Sequence, residues 1–591
     1  MTIMYVISVI ILIVLAMLIE KSKEKIEFVK TFIIINVLLL AYNCFWCYIF
    51  NLINIPITLV SLGIINFIIC VLMLLTIIKN KRIQKYNISK MNIIVILILL
   101  TLTIIILNVN FEGLTKIRYV SMDAREHYKV AREFLENEFL SNKAVKSDST
   151  SGGFMPMAYT NVGIIFKILN PYIGTVNLYK AYILFEAFMF ILVGIVFYMI
   201  LEKYLKSTKS KILTLIFVII YVLGYPLNAW IYGFHYLILG ILFVEMIIYL
   251  CINQDKINLA NHIILLFFAN FGLIFSYSLF CPFVYFAEFL YFIFNYKQDK
   301  DKAKLFIYIL IVLSLTGIIG VTYLILPNIG KIGGFIALDG VLYKNLWSNF
   351  VLFIPFTIFE IYKNIKDKKI SFENILFDLL LIYMLFLFIG TKIGKCSEYY
   401  FEKNYFILWL MLSILNVKGM VRLIEGKKEQ FIVVAYTIIY LVLFFINVQT
   451  KQTYVTNEND DNISNLMEIF TFNNTMINAP DAAFVTRNEL KLYESMEKII
   501  NGNWEKYKED EILFITDPTQ ERWIQSLTGY KNILFDNYAY AVQNLKENNY
   551  KYIIISKNRS RYKQMKEYIN YNMLELICEI DEGEIYTRNG E

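Results

Sequence analysis

Apolar stretches of about 20 residues recur along this chain from Met1 to Asn447, and Lys and Arg gather in alternate connections between them. A helix of that length matches the hydrocarbon core of a bilayer, where the backbone must satisfy its own hydrogen bonds. The stretches predict about fourteen spans, at 1–19, 31–52, 56–78, 92–110, 177–201, 212–231, 234–253, 262–277, 279–296, 305–326, 346–362, 374–391, 404–417 and 430–447. The pair 262–277 and 279–296 is joined so tightly that a broken or re-entrant helix is an alternative. The basic connections include Lys79/Lys81/Arg82/Lys85, Lys203/Lys206/Lys209/Lys211, Lys363/Lys366/Lys368/Lys369 and Lys418/Arg422/Lys427/Lys428. The turns near Ile55, Gly233 and Ser278 carry neither Lys nor Arg. The positive-inside rule makes the basic connections cytoplasmic. The expectation is a multi-pass protein of the cell membrane, with its N-terminus, the segment Phe111 to Tyr179 and everything after Val448 outside.

Composition narrows the class further. With 58% hydrophobic and only 18% charged residues among 591, a soluble globular protein is excluded. The net charge of +7 sits in the cytoplasmic connections, so topology accounts for it and no nucleic acid partner is implied. Cys44 and Cys47 form one CxxC inside an apolar span with no second pair, which predicts neither a disulfide framework nor a structural metal. Only three His are present, His127, His235 and His262, so a His-rich metal site is not expected. Met1–Ile19 lacks a basic leader and a small-residue cleavage site, and reads as a retained first span.

Two polar regions are too long to be connectors. The membrane part divides into spans 1–91, which precede the first polar region, and a core 92–447 that contains it as an external loop, 111–176. That loop holds a charged helical pattern at Ser121–Glu138 and a short apolar stretch, Met157–Leu169, suited to the membrane interface. After an Asn/Asp/Thr-rich linker at 448–474, residues 475–591 predict an external α/β domain. Its expected elements are strands at Glu511–Thr516 and Tyr552–Ser556, helices at Gln520–Leu527 and Arg559–Ile569, and a hairpin of Leu574–Ile580 with Glu584–Arg588.

Chemistry concentrates in the first of these regions. On a helix from Asp123, residues His127, Val130, Ala131, Phe134 and Leu135 share one face and Arg125, Lys129, Arg132 and Glu136 point elsewhere, an amphipathic helix for the membrane surface. Asp123 with Glu126 three residues on reads as an N-cap with its capping-box partner. The same spacing also leaves a carboxylate beside an imidazole, able to take a proton from an attacking hydroxyl.

The run Asp123-x-x-Glu126-His127-Tyr128-x-x-Ala131-x-x-Phe134, soon after a span and before an interfacial stretch, resembles the first external loop of class C (GT-C fold) membrane glycosyltransferases, the superfamily of protein O-mannosyltransferases and aminoarabinose transferases. The resemblance covers a dozen residues in motif and the layout of 92–591; four spans precede the loop here, where the simplest members have one. It implies a polytopic α-helical membrane fold, a polyprenyl-phosphate sugar donor, an external glycan, lipid or protein acceptor, and Asp123 as the base, with Glu126 and His127 beside it. No cofactor is required by the resemblance, and a divalent cation near the acidic loop stays open. A phosphate leaving group gains negative charge in the transition state, which cations stabilise. Lys395 and Lys403 lie on an external turn dense in aromatics and are the preferred phosphate contacts, followed by Lys331, with Arg118 and Arg125 as alternatives. Tyr128, Tyr399, Tyr400 and His235 are candidates for the substrate cavity; for His235 a solvent-facing turn is the plainer account. Glu186, Glu245, Glu288 and Asp378 fall in or near spans, and either line a polar cavity or pair with Lys at span ends. The rivals are a lipid-linked glycan flippase or other transporter, and a non-catalytic cell-envelope assembly protein.

Overall fold

The structure is a computed structural model that describes residues 2–19, 25–121, 123–140, 156–298, 303–326, 342–343, 346–367, 371–425, 429–445, 454–455, 483–507, 511–515, 518–529, 550–557, 562–571 and 574–588. Within these the chain is mostly helical. The first four helices are α1 (Thr2–Leu18), α2 (Phe28–Leu52), α3 (Leu59–Asn80) and α4 (Lys90–Phe111). The first long polar region gives α5 (Asp123–Glu133) and α6 (Pro156–Ile173). Next come α7 (Leu178–Glu202), α8 (Thr208–Leu223), α9 (Tyr225–Ile231), α10 (His235–Ile252), α11 (Leu259–Tyr277), α12 (Cys281–Gln298) and α13 (Ala303–Gly320). The set closes with α14 (Ile354–Lys366), α15 (Phe372–Lys392), α16 (Glu398–Lys403), α17 (Tyr405–Ile424) and α18 (Glu429–Phe445).

Among the described residues, ten helices are long and apolar enough to cross a membrane, with Leu259–Asn295 counted as one. All fourteen expected stretches are helical, and the difference in number has local causes. Stretches 1–19 and 430–447 form the shorter apolar helices α1 and α18. Stretch 346–362 divides into a 3-10 run, Leu346–Phe353, and the short α14, which begins around Pro355. The pair α11 and α12 folds back on itself. The rings of His262 and Phe292 lie 6.3 Å apart and the Asn270 Nδ2 donates to Glu288 at 3.1 Å, whereas a straight helix would hold residues 262 and 292 about 45 Å apart. The turn is made at Tyr277, where the backbone leaves the helical region (φ −151°, ψ 87°).

Every residue of α10 is buried, and α7 is nearly so, which puts these two helices at the centre. The rim is the reverse: Leu72 and Leu75 of α3, Ile318 of α13 and Phe386 of α15 are exposed. A continuous apolar rim is costly in water and suits lipid, so the fold is that of a polytopic membrane protein.

Helix α6 departs from the expected interfacial position. Met157, Ala158, Val162 and Phe166 are fully or almost fully buried, and Gly163 lies so close to Phe134 that a Cβ would stand 2.5 Å from its ring. Its polar residues Thr160 and Asn161 are buried too, donating to the Pro156, Met157 and Leu40 carbonyls, so the neighbouring helices cover the start of the stretch on all sides.

After α4 the chain turns through three left-handed residues, Glu112, Gly113 and Leu114. It then enters a short strand, Ile117–Tyr119, which pairs antiparallel with Ala483–Val485 from the C-terminal region. The helices beyond are α19 (Arg487–Ile499), α20 (Pro518–Thr528) and α21 (Tyr562–Tyr571). Strands Ile512–Ile515, Tyr552–Ser556, Gly583–Arg588 and Leu574–Ile580 form a sheet in that order, the first pair parallel and the others antiparallel. Its side chains alternate in the period of two that a pleated strand imposes. Ile512, Phe514, Ile554 and Ile585 join the core that runs through the helical bundle. Leu513, Ile515, Ile553 and Ile555 face Met565 and Ile569 of α21 in a separate small core. The linker 448–474 lies almost wholly outside the described residues.

Candidate functional site

Helix α5 starts one step differently from the capping-box expectation. The Asp123 N–H donates to the Ser121 Oγ at 3.1 Å, so the hydroxyl two residues earlier serves the helix end and Asp123 becomes the first helical residue. Its carboxylate is exposed and released from capping. Glu126 does not reach back to the helix start; it takes the guanidinium of Arg125. Four residues on from Asp123, His127 lies on the same side of the helix.

The floor beneath α5 is the turn between α9 and α10. Gly233 holds a left-handed conformation (φ 74°), and a Cβ there would lie 2.3 Å from that of Ala124, so only glycine lets α5 sit this close. Beyond that turn His235 is only 2% exposed, which corrects the solvent-facing reading. Its Nδ1 is 2.8 Å from the Tyr182 Oη, and its ring meets that of His127 edge-on with centroids 4.8 Å apart. Tyr236 also packs against His127, with ring centroids 4.8 Å apart.

Lys403 comes to the same place from 280 residues further along the chain, at the end of α16. It is 1% exposed, and its Nζ lies 3.5 Å from the centroid of Phe234 and 4.8 Å from that of Tyr399, with no hydrogen-bond partner among the described residues. The ammonium and the Asp123 carboxylate act on each other electrostatically without a direct ion pair. Burial lowers the His127 imidazole to about 4 against the pull of Asp123 and Glu126 toward protonation, with Lys403 adding to the lowering. The result is an open carboxylate beside a neutral imidazole and a buried lysine without a hydrogen-bond partner among the described residues, its ammonium lowered by burial to about 7 against the pull of Asp123 and Glu402. Such a set can take a proton on one side and hold an anion on the other.

The remaining predicted residues distribute unevenly. Tyr399 stands over Lys403, and Tyr400 packs edge-on against Tyr399 at 5.4 Å. Lys395 is exposed in the turn after α15, its N–H bonded to the Gly390 carbonyl, and is not drawn in with Lys403. Arg118 lies in the strand beside Asn110, to whose Oδ1 it donates at 3.3 Å. Tyr128 is fully buried against Phe166, Tyr182 and Trp523 and belongs to the core beneath the site. Lys331 lies outside the described residues. The span acids pair with neutral donors: Glu186 with Tyr119 at 2.5 Å, Glu245 with Tyr221 at 2.6 Å and Glu288 with Asn270. Asp378 is exposed. Among the described residues no group of three or more His, Cys, Asp or Glu converges as a metal site.

The expected surface helix is also covered from above. Helix α20 lies across α5, and Arg132, expected on a solvated face, is 5% exposed with its guanidinium against Gly529. Sequence reading missed Phe234, Tyr236, Tyr182 and Trp523. The run Tyr232-Gly233-Phe234-His235-Tyr236 offered a signal for the first two, an aromatic cluster around a glycine at a turn; the others had none. No protein-family model and no curated protein matches the chain.

Proposed function

We propose that this protein is a membrane-embedded glycosyltransferase that moves a sugar from a polyprenyl-phosphate donor to an acceptor hydroxyl at the outer face of the membrane. The observation that carries the reading is Lys403, a buried lysine whose Nζ has no hydrogen-bond partner among the described residues, within electrostatic reach of an exposed carboxylate that starts a helix. Asp123 takes the proton of the acceptor hydroxyl. The oxygen attacks the anomeric carbon from the face opposite the phosphate, a new C–O bond forms with inversion, and the bond to the phosphate oxygen breaks. Lys403 receives the charge that gathers on the departing phosphate, with the Tyr399 phenol beside it. His127 stays neutral and, with His235, walls the site on the bundle side. The exposed side chains of Phe386, Ile389 and Ile393 at the end of α15 give the lipid tail an apolar path. The strands and helices after residue 483 would form an external α/β unit that touches α5 through Tyr128 and Arg132.

Asp123→Asn tests the reading in purified protein with a synthetic polyprenyl-phosphate sugar. Ser121 keeps its place at the helix end, so the change costs only the carboxylate's interaction with the helix N-terminus, about 0.3–1 kcal/mol of stability. Transfer should fall by about 10²–10⁴-fold, the usual worth of a positioned base. A variant that transfers at the wild-type rate would remove Asp123 from the chemistry.

A further inference from the structure

The two faces of α5 have different neighbours. Asp123 and His127 look toward Lys403, His235 and Tyr236, while Tyr128, one residue on, points into an aromatic cluster that the C-terminal region completes. Trp523 of α20 lies in that cluster. Its indole is nearly parallel to the Tyr119 ring at 6.1 Å and inclined to the Tyr128 ring at 5.9 Å, and it is 1% exposed. Tyr119 stands in the strand that pairs with Ala483–Val485 and donates to the Glu186 carboxylate on α7. Next to the cluster, Gly529 (φ 74°) lets the Arg132 guanidinium approach, with space too small for a Cβ. Further along, Glu497 accepts the N–H groups of Thr175 and Val176 at 2.7 and 3.1 Å, and Lys180 faces Glu494 at 3.7 Å. The C-terminal region is thus joined to the bundle at several places, and Trp523 is its aromatic contact with the helix that carries the candidate base.

We propose that Trp523 is a positioning residue, which sets Asp123 and His127 in register with Lys403 by holding Tyr128 and Tyr119. Without the indole, α5 keeps its floor at Gly233 and the contact of Arg132 with Gly529 but loses its aromatic support near Tyr128, and its first turn is free to rock away from Lys403. The role in transfer rests on the function proposed above; the placement of α5 does not.

The chain has three His, which makes histidine acylation by diethyl pyrocarbonate, read by mass spectrometry on the full-length protein in nanodiscs, a direct probe. His127 lies in the site, and His262 lies away from it between Leu250 and Phe292 and reports general unfolding. In Trp523→Ala, acylation of His127 should rise at least about threefold, as for a local opening, with His262 unchanged. Trp523→Phe keeps an aromatic wedge and should stay near wild type. In the transfer assay Trp523→Ala should lower kcat about tenfold with the donor KM unchanged, as misplacement of a reacting group does. Unchanged His127 acylation in Trp523→Ala would overturn the proposal. If His262 rises as well, Trp523→Leu decides: it keeps an apolar side chain in the core without the flat ring against Tyr119 and Tyr128, so a rise at His127 alone supports the clamp and no rise refutes it. A wild-type protein without transfer activity would defeat the glycosyltransferase reading and leave the acylation result to judge the clamp by itself.

Discussion

Replacing Lys403 by Met should make the protein more stable and less active. The ammonium is buried, and its Nζ has no hydrogen-bond partner among the described residues. Removing such a group from water costs several kcal/mol even after relaxation. The rings of Phe234, Tyr399 and Phe406, at 3.5, 4.8 and 5.8 Å, return part of that, about 2 kcal/mol for a desolvated cation over an aromatic face. Asp123 adds an attraction weakened by its contact with solvent. The balance stays unfavourable, so Met, which has a similar length and no charge, should gain about 1–3 kcal/mol. Tryptophan fluorescence during thermal unfolding in a fixed detergent would record this as a higher midpoint. The same substitution removes the cation that receives the leaving phosphate, and turnover should fall at least about 100-fold, equal to about 2.7 kcal/mol of barrier.

The two effects have opposite signs, and that makes the test strict. Polyprenyl phosphate should also stabilise the wild type, by about 2.7 kcal/mol at a hundredfold excess over Kd, and leave Lys403→Met unmoved. A variant that unfolds more easily and still transfers sugar would show that Lys403 merely fills space among the aromatics, and the reasoning from its missing partner would fail.

The acidity of His127 gives a second expectation. Its folded-state value of about 4 is below the ordinary 6.5, so the unfolded chain takes up the proton first as pH falls. The contribution of the neutral imidazole to stability is complete above pH 6.5 and is lost between 6.5 and about 4, so the midpoint of wild type should drop across that window more than that of His127→Gln; parallel curves would contradict the burial argument. The orientation is tested by tags: one after Glu591 should be reached by a protease outside intact cells and one near Lys209 should be protected, and the reverse pattern would place the candidate site on the cytoplasmic face.

Periodicity and charge made the membrane part legible, because each span reports itself: twenty apolar residues have few other uses. The strands at 512–515, 552–556 and 574–588 were legible for a similar reason, as alternation needs only nearby residues. What the sequence concealed was contact between distant segments. Nothing local says that Ala483–Val485 will pair with Ile117–Tyr119, or that α20 will cover Arg132, and the amphipathic pattern of α5 therefore read as a surface helix. The capping error was smaller and of another kind: Ser and Asp side chains are both able to accept helix N–H groups, and sequence alone does not choose between Ser121 and Asp123. Lys395 and Lys403 looked equivalent on one turn, yet the short helix from Glu398 carries Lys403 inward while Lys395 stays at the bend. Of the two signals used for the candidate site, a carboxylate at a helix start marked the first residue of α5, and a lysine on the unexpected side marked only a loop.

The opposite end of the bundle bears on the transporter alternative. Helix α17 begins beside Lys403 and ends, about 30 Å away, in a second group of charges. There Lys418 lies 3.2 Å from Glu373 and 3.7 Å from Glu360, and Arg422 holds Glu360 at 2.6 Å, with Asn364 and Tyr204 completing the contacts. Glu360, Glu373 and Lys418 are all almost fully buried. Breaking one buried pair by stranding a charge costs about 3–5 kcal/mol. Alternating access requires both ends to open in turn, and opening this one by parting α14 and α15 from α17 would strand several charges together. An enzyme that works at one end has no such requirement, and gains from the network a fixed base for the helix that adjoins Lys403. Substituting Glu373 by Gln therefore discriminates: a glycosyltransferase should lose stability and keep its donor KM, whereas a transporter should move more readily between states and change its rate of lipid-linked glycan flipping.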